Sequence, residues 1–272
     1  MKRREILIHI GLAAGALVML FPFVWMISLS LKQEFEIYDP SLNLLPGEWD
    51  FLNYVEAFTY GEVGTFLLNG GLVTLAILLL QYLTVIPAAY VLARKRFRMN
   101  NLLFVTVLGV LLIPSQVTAI PVYLTISGLG LIDTLAALIV PFSTSAFGIF
   151  LLRQSFKTIP QDLLDAARVD GASEFLLLWT IAVPIVMPTL TAFGIFSIVV
   201  HWNDFFWPLL VIRDMDNATP PLGISIFASD EGGNDVGPMM ASATLIVLPL
   251  VLVFLLARKS FIKGLTSTGI KG

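Results

Sequence analysis

Asp165-Ala166-Ala167-Arg168-Val169-Asp170-Gly171-Ala172 is a short charged stretch between two long apolar runs. Those runs are Thr134–Leu152 and Phe175–Asn203, and neither carries an acidic or basic residue apart from His201. Each is about as long as the roughly 20 apolar residues a helix needs to cross a bilayer. A polar patch so placed reads as an element standing out from a membrane as a docking surface. It sets the fold class as an all-α membrane protein.

Four more uncharged runs lie outward from it: Ile6–Leu31, Val63–Ala93, Met99–Ile132 and Val236–Ala257. Only 13% of the 272 residues are charged and 57% are hydrophobic, whereas a soluble domain has about 25% charged residues. Lipid is therefore the expected main solvent. The short alternating segments of a membrane barrel are absent. The first run follows Lys2-Arg3-Arg4 but exceeds the roughly 7–15 residues of a signal-peptide core, so it reads as a retained helix. The spans are expected at 7–29, 66–92, 102–124, 134–152, 184–208 and 239–257, within one transmembrane domain over 1–272. Pro87, Pro114, Pro121 and Pro141 fall in or near these spans and predict local breaks. Such breaks serve either as plain kinks or as cavity walls.

Basic residues sort onto one side. Lys2, Arg3, Arg4, Arg94, Lys95, Arg96, Arg98, Arg153, Lys157, Arg168, Arg258, Lys259, Lys263 and Lys271 share it, leaving Lys32 and Arg213 opposite. The positive-inside rule then puts both termini in the cytoplasm, with six crossings. The outer loops carry Glu34, Glu36, Asp39, Glu48, Asp50, Glu56 and Glu62, then Asp214, Asp216, Asp230, Glu231 and Asp235. These acids read as solvating charge rather than an ion site. Trp25, Trp49, Trp202 and Trp207 lie near the expected outer boundary and read mainly as interfacial anchors.

The net charge of −3 argues against a nucleic-acid partner. The lack of cysteine excludes disulfides and thiolate chemistry. His9 and His201 have no ligand-like spacing, so no metal site is expected. Without a Gly-x-x-x-x-Gly-Lys-Ser/Thr loop the chain has no phosphate cradle of its own. No cofactor and no catalytic residue is assigned.

The cytoplasmic insert 153–183 is the most informative region. Pro160 suits a helix start, and Asp162 sits near the positive end of the helix dipole. Gln161–Val169 is expected as a short helix exposing Asp162, Asp165 and Arg168. Gly171 supplies the left-handed stop, and Ser173 caps the next helix with Glu174 in its first turn. Pro184 and Pro188 mark re-entry into the membrane. The residues alone fit two pictures: a knob for a groove on another protein, or an amphipathic connector lying on the bilayer.

Asp165-Ala166-Ala167, Asp170-Gly171-Ala172, Ile181, Pro184 and Pro188 resemble the coupling motif of bacterial binding-protein-dependent ABC importer permeases. Asp165 stands where glutamate is usual, and Val183-Pro184 where Leu-Pro is common. The resemblance extends to Phe51-Leu52-Asn53-Tyr54, Ile120-Pro121-Val122-Tyr123 and Gly128–Thr134, with Asp133 in place of a usual asparagine. It continues through Trp202–Leu209, Thr219–Gly223, Phe261–Thr266 and Gly269–Gly272. The ordered set is similar to the second six-helix subunit of the maltose-type carbohydrate importers.

That resemblance implies a type I importer permease fold in the bacterial plasma (inner) membrane. It implies a homologous six-helix permease partner, an ABC ATPase dimer that supplies the energy, and an extracytoplasmic sugar-binding protein. Asp162, Asp165, Ala166, Ala167, Asp170 and Gly171 would dock the ATPase, with the two alanines permitting close approach and Gly171 setting the turn. Candidates for a sugar path are Ser115, Gln116 and Thr118 beside Pro114, Ser143 and Thr144 after Pro141, and Asn203 with Asp204. Any one of them also suits ordinary helix–helix hydrogen bonding. A phosphorylated polyol is the alternative cargo, although no arginine or lysine lies well inside a span. An ion-coupled secondary transporter would need ionisable groups deep in the membrane or inverted repeats, and neither is seen. A membrane-embedded enzyme would need a cluster of histidines, carboxylates or a nucleophile dyad, which is likewise absent.

Overall fold

Arg3–Leu29 forms the first helix, α1, of this computed structural model, which describes residues 3–41, 43–228 and 235–269. Lys2, Asp230, Glu231, Gly232-Gly233 and Lys271 lie outside the described residues, as do the side chains of Arg3, Arg4 and 257–269. The described residues form helices and turns and no β-strand. After α1 come α2 (Leu52–Thr59), α3 (Val63–Arg94), α4 (Asn100–Leu111) and α5 (Ser115–Gly128). Then follow α6 (Leu135–Ile139), α7 (Ala146–Lys157), α8 (Gln161–Val169), α9 (Glu174–Trp202), α10 (Phe206–Val211) and α11 (Val236–Gly269).

Four helices are long and apolar enough to cross a membrane, and two bent pairs bring the number to six if each pair makes one crossing. The expected span 102–124 is divided into α4 and α5, meeting at 103°, at one of the prolines expected to cause a break. Pro114 causes the break: it has no N–H to donate and disfavours helical backbone at Ile113. It takes the N-cap position of α5 with extended backbone. The expected span 134–152 is α6, a 3-10 turn at Val140–Phe142 holding Pro141, and α7, with a 40° bend. Pro87 and Pro121 are absorbed inside α3 and α5. The expected span 184–208 begins ten residues early, because α9 runs without a break from Glu174 to Trp202. It passes through a π-helical segment, Leu177–Ala182, just before Pro184. The wider turn relieves the backbone where the proline ring meets the preceding turn.

The contacts divide the chain into two compact units. One runs up to Leu67 and includes Pro220–Leu250. Its core joins Ala57 and Val63 to Phe227 and Ala241. Asn53 and Tyr54 clamp the end of α1. Asn53 Nδ2 donates to the Ser30 carbonyl at 3.2 Å and the Lys32 carbonyl at 2.9 Å, and Tyr54 Oη lies 2.8 Å from Ser30 Oγ. Lys32 is buried, donating to the Asn43 carbonyl with its ammonium 5.1 Å from the Trp25 ring centre.

The other unit comprises Leu68–Thr219 and the chain from Val251. Its largest core packs Val85, Ile86, Ala89 and Tyr90 of α3 against Leu152 and Phe156 of α7, Leu164 of α8, and Leu177 to Leu190 of α9. Trp202 and Trp207 are buried in this unit rather than placed as lipid anchors. Trp207 Nε1 donates to the Ala137 carbonyl at 3.0 Å, so the indole is satisfied within the protein. Asp133 adopts left-handed backbone, φ 63°. Its carboxylate accepts from the Arg213 and Asp214 N–H groups, each at 2.9 Å, and its carbonyl accepts from Asn217 at 3.0 Å.

Candidate functional site: an anchored helix and a polar cavity

The short helix α8 has the bounds expected, Gln161–Val169. Pro160 takes its N-cap position rather than its first turn. At the other end the Ala172 N–H reaches the Ala167 carbonyl and the Gly171 N–H reaches the Arg168 carbonyl, both at 3.0 Å. This paired closure is a Schellman motif, and it requires left-handed backbone after the cap. Gly171 supplies it at φ 85°. Ser173 Oγ then accepts the Leu176 N–H at 3.3 Å and starts α9.

One face of α8 is rooted in the protein. Leu164 is fully buried in the core, and Ala167, one turn on, packs against the same cluster. Asp162, Asp165, Ala166 and Asp170 are exposed. Of the alanine pair, Ala166 therefore leaves the open surface, while Ala167 faces its own chain.

Charged groups brace both ends. At the start of α8, Arg94 Nη1 donates to Gln161 Oε1 at 3.3 Å, and its Nη2 donates to the carbonyls of Phe156 and Ile159. At the far end, Arg168 bridges Asp165 at 2.6 Å and Glu174 at 3.0 Å. Glu174 also takes Lys95 at 2.6 Å and the Tyr90 hydroxyl at 3.3 Å. The bond to Glu174, followed by that to Asp165, raises the Arg168 guanidinium above its ordinary value. These pairs are partly exposed, so each contributes about 0.2–1 kcal/mol, but together they tie α8 to the end of α3. Sequence reasoning counted Arg94 and Lys95 only as sidedness and Glu174 only as a first-turn acid. The opposite charges of Arg94-Lys95 and of the acids in 162–174, two segments expected on the same side of the membrane, were the available signal.

A cavity of about 460 Å³ opens in the same unit. Both proline breaks feed it: Ser115, Gln116 and Thr118 open α5 after Pro114, and Thr144 and Ser145 follow Pro141. Helix α9 contributes Phe193, Phe196, Ser197, Val200 and His201, a stripe at helical spacing. Asp204, Phe142, Phe206 and Trp207 complete the mouth, and no arginine or lysine lines it. Gln81 of α3 lies at its back, buried, accepting from Ser197 at 2.7 Å, donating to the Phe142 carbonyl at 3.0 Å and 3.3 Å from His201 Nε2.

Five of the seven expected path residues, Ser115, Gln116, Thr118, Thr144 and Asp204, are thus brought together. Ser143 and Asn203 do not line the cavity. The Ser143 carbonyl accepts from Thr84 at 2.9 Å, and Asn203 turns back to the Val199 carbonyl at 2.8 Å. Gln81, Ser197 and His201 were missed, being single polar residues in apolar runs. Their signal was the cost of an isolated polar group inside a span.

A profile of the family described as "Binding-protein-dependent transport system inner membrane component" matches residues 85–267. The chain belongs to that family of inner membrane transport components. Among its members the chain is 34% identical over 270 residues to the "Arabinooligosaccharides transport system permease protein AraQ" of Bacillus subtilis, covering 94% of this chain and 92% of the relative. It is 32% identical over 272 residues to the "sn-glycerol-3-phosphate transport system permease protein UgpE" of Pectobacterium atrosepticum, covering 97% and 96%. In fold it matches a chain of a bacterial ABC transporter involved in the import of the acidic polysaccharide alginate. The TM-score is 0.84, with 23% identity and coverage of 94% of this chain and 96% of that one. The inner-membrane transport component therefore has the type I importer permease fold.

Proposed function

We propose that this chain is one permease subunit of an ATP-driven importer that moves a neutral sugar or oligosaccharide from an extracytoplasmic binding protein into the cytoplasm. It acts as one transmembrane domain of six crossings, both termini cytoplasmic, with each bent helix pair counted as one crossing. A homologous permease completes the path, and a separate ATPase dimer hydrolyses ATP. Helix α8 is the coupling helix, offering Asp162, Asp165, Ala166 and Asp170 to the ATPase. Gly171 fixes the turn behind them.

The observation that carries this reading is the presence, in one compact unit, of a rooted but outward-facing helix and a cavity of hydroxyls, amides and aromatic rings. Hydroxyls and amides match the many-directional hydrogen bonding of a sugar, and ring faces match its apolar face. A phosphorylated polyol is the second reading, favoured by the sn-glycerol-3-phosphate name of one relative. The cavity lining disfavours it, since it offers an aspartate and no arginine or lysine.

Purification of the tagged chain from its native membrane, followed by reconstitution, tests the proposal. Recovery of a second permease and a P-loop ATPase, with ATP-dependent sugar uptake that phosphorylated polyols do not inhibit, is expected. Uptake by the chain alone on an ion gradient would overturn the importer reading, and inhibition by a phosphorylated polyol would overturn the neutral cargo.

A further inference from the structure

A second cavity, of about 410 Å³, lies at the Arg94 end of α3 and is lined by Arg94, Lys95, Arg96, Arg153 and Lys157. No carboxylate lines it. The bias of basic residues toward one side of a membrane requires only that they lie in loops there. Here they converge on one cavity from the end of α3, the following turn and α7.

Two of the cations are held in place. The Arg153 guanidinium is buried, with Nε donating to the Leu92 carbonyl at 3.1 Å and its carbon 3.5 Å from the Phe104 ring centre. Arg94 is fixed by the carbonyls of Phe156 and Ile159. Arg96 and Lys157 are exposed and have no ion-pair partner among the described residues. Beside the cavity, Phe97, Met99, Leu102 and Leu103 are exposed.

We propose that this pocket holds the phosphate of an anionic phospholipid headgroup, with the acyl chains lying along Leu102 and Leu103 of α4. Several cations around one phosphate give charge-assisted bonds, and basic pockets between membrane helices suit anionic headgroups. Free phosphate shares the headgroup chemistry but leaves the exposed apolar side chains without a role. The orientation proposed above decides only which leaflet supplies the lipid.

The test is native mass spectrometry of the assembled transporter carried in detergent with phosphatidylglycerol or phosphatidylcholine, for the parent and for an Arg96→Gln/Lys157→Gln double variant. Preferential retention of phosphatidylglycerol, reduced about tenfold or more in the double variant and unchanged in an Arg213→Gln control, is expected. Equal retention of the two lipids, or no effect of the double variant, would overturn the proposal. Displacement of the lipid by an equal concentration of inorganic phosphate would overturn it in favour of a free anion. Loss of the ATPase from the double variant with lipid retention intact would overturn it in favour of a protein-docking surface. A wrong orientation is read separately, as labelling from outside of a cysteine placed at Arg98, and leaves lipid retention unchanged.

Discussion

Gly171 shows how much can rest on one backbone angle. Its φ of 85° closes α8, yet a Cβ added there meets nothing within 4 Å. A Gly171→Ala change therefore acts through left-handed strain alone, about 1 kcal/mol. It should lower substrate-stimulated ATP hydrolysis several-fold, while Gly171→Asn, which tolerates that backbone better, should retain more of it. Parent-level coupling in Gly171→Ala would remove the turn from the mechanism. Asp133 poses a related case. Asparagine and aspartate both enter the left-handed region readily, so Asp133 fits the backbone required there. N–H bonds from Asp214, then Arg213, hold its carboxylate below the ordinary value of 3.8. A depressed folded pKa gives a contribution that is fully present above the ordinary value and is lost as pH falls through the depressed one. Hydrogen-exchange protection of 211–218 should hold through mildly acidic pH and fail only below about 3.8. In Asp133→Ala it should be reduced at every pH.

Helix α8 was legible because its punctuation is local: a proline before it, a glycine after it and one buried leucine inside. Its anchoring was not, since Lys95 and Tyr90 are distant in sequence from the Glu174 they hold. Leu164→Ala should destabilise the unit by about 2–5 kcal/mol, read as a lower thermal midpoint. Glu174→Gln should leave the fold intact but raise hydrogen exchange across 161–172 and reduce coupling about two- to fivefold, on the order of 1 kcal/mol. Unchanged exchange in that variant would mean the brace carries no mechanical role. The 103° break between α4 and α5 was hidden for another reason. The residues before it, Leu102–Ile113, are almost wholly apolar, so no periodicity marks the size of the change of direction, and only Pro114 announces a break. The polar residues after that break were legible as a cluster. Gln116→Leu should reduce sugar uptake while leaving basal ATP hydrolysis at parent level, since it removes hydrogen-bonding capacity from the cavity and nothing from α8.

At the scale of the molecule, sidedness rests on the distribution of charge, and the chain offers a clean way to test it because it contains no cysteine. A lone cysteine at Leu45, which is exposed, should react with an impermeant maleimide from outside intact cells. One at Val169, also exposed, should react only from the cytoplasmic side and be shielded when the ATPase is bound. The reverse pattern would invert the topology. The six runs were visible in composition, whereas the cavity needed α3, α5, α9, α10 and the turn at Pro141 brought together, which no single run encodes. One of those helices carries a further consequence. The π-helical stretch Leu177–Ala182 holds about one residue more than α-helical winding would need. That surplus is accommodated locally, so the residues on either side of it keep their positions around the axis. Removing Thr180 should let α9 close into regular winding with Val183, Val186 and Leu190 still in the core and Ser197 and His201 still on the cavity wall. Removing one residue from the regular winding beyond Ala182 should instead turn every later residue by about 100°. The first deletion should leave import close to that of the parent and the second should abolish it, so that α9 tolerates a lost residue at one place along its length and not at the next.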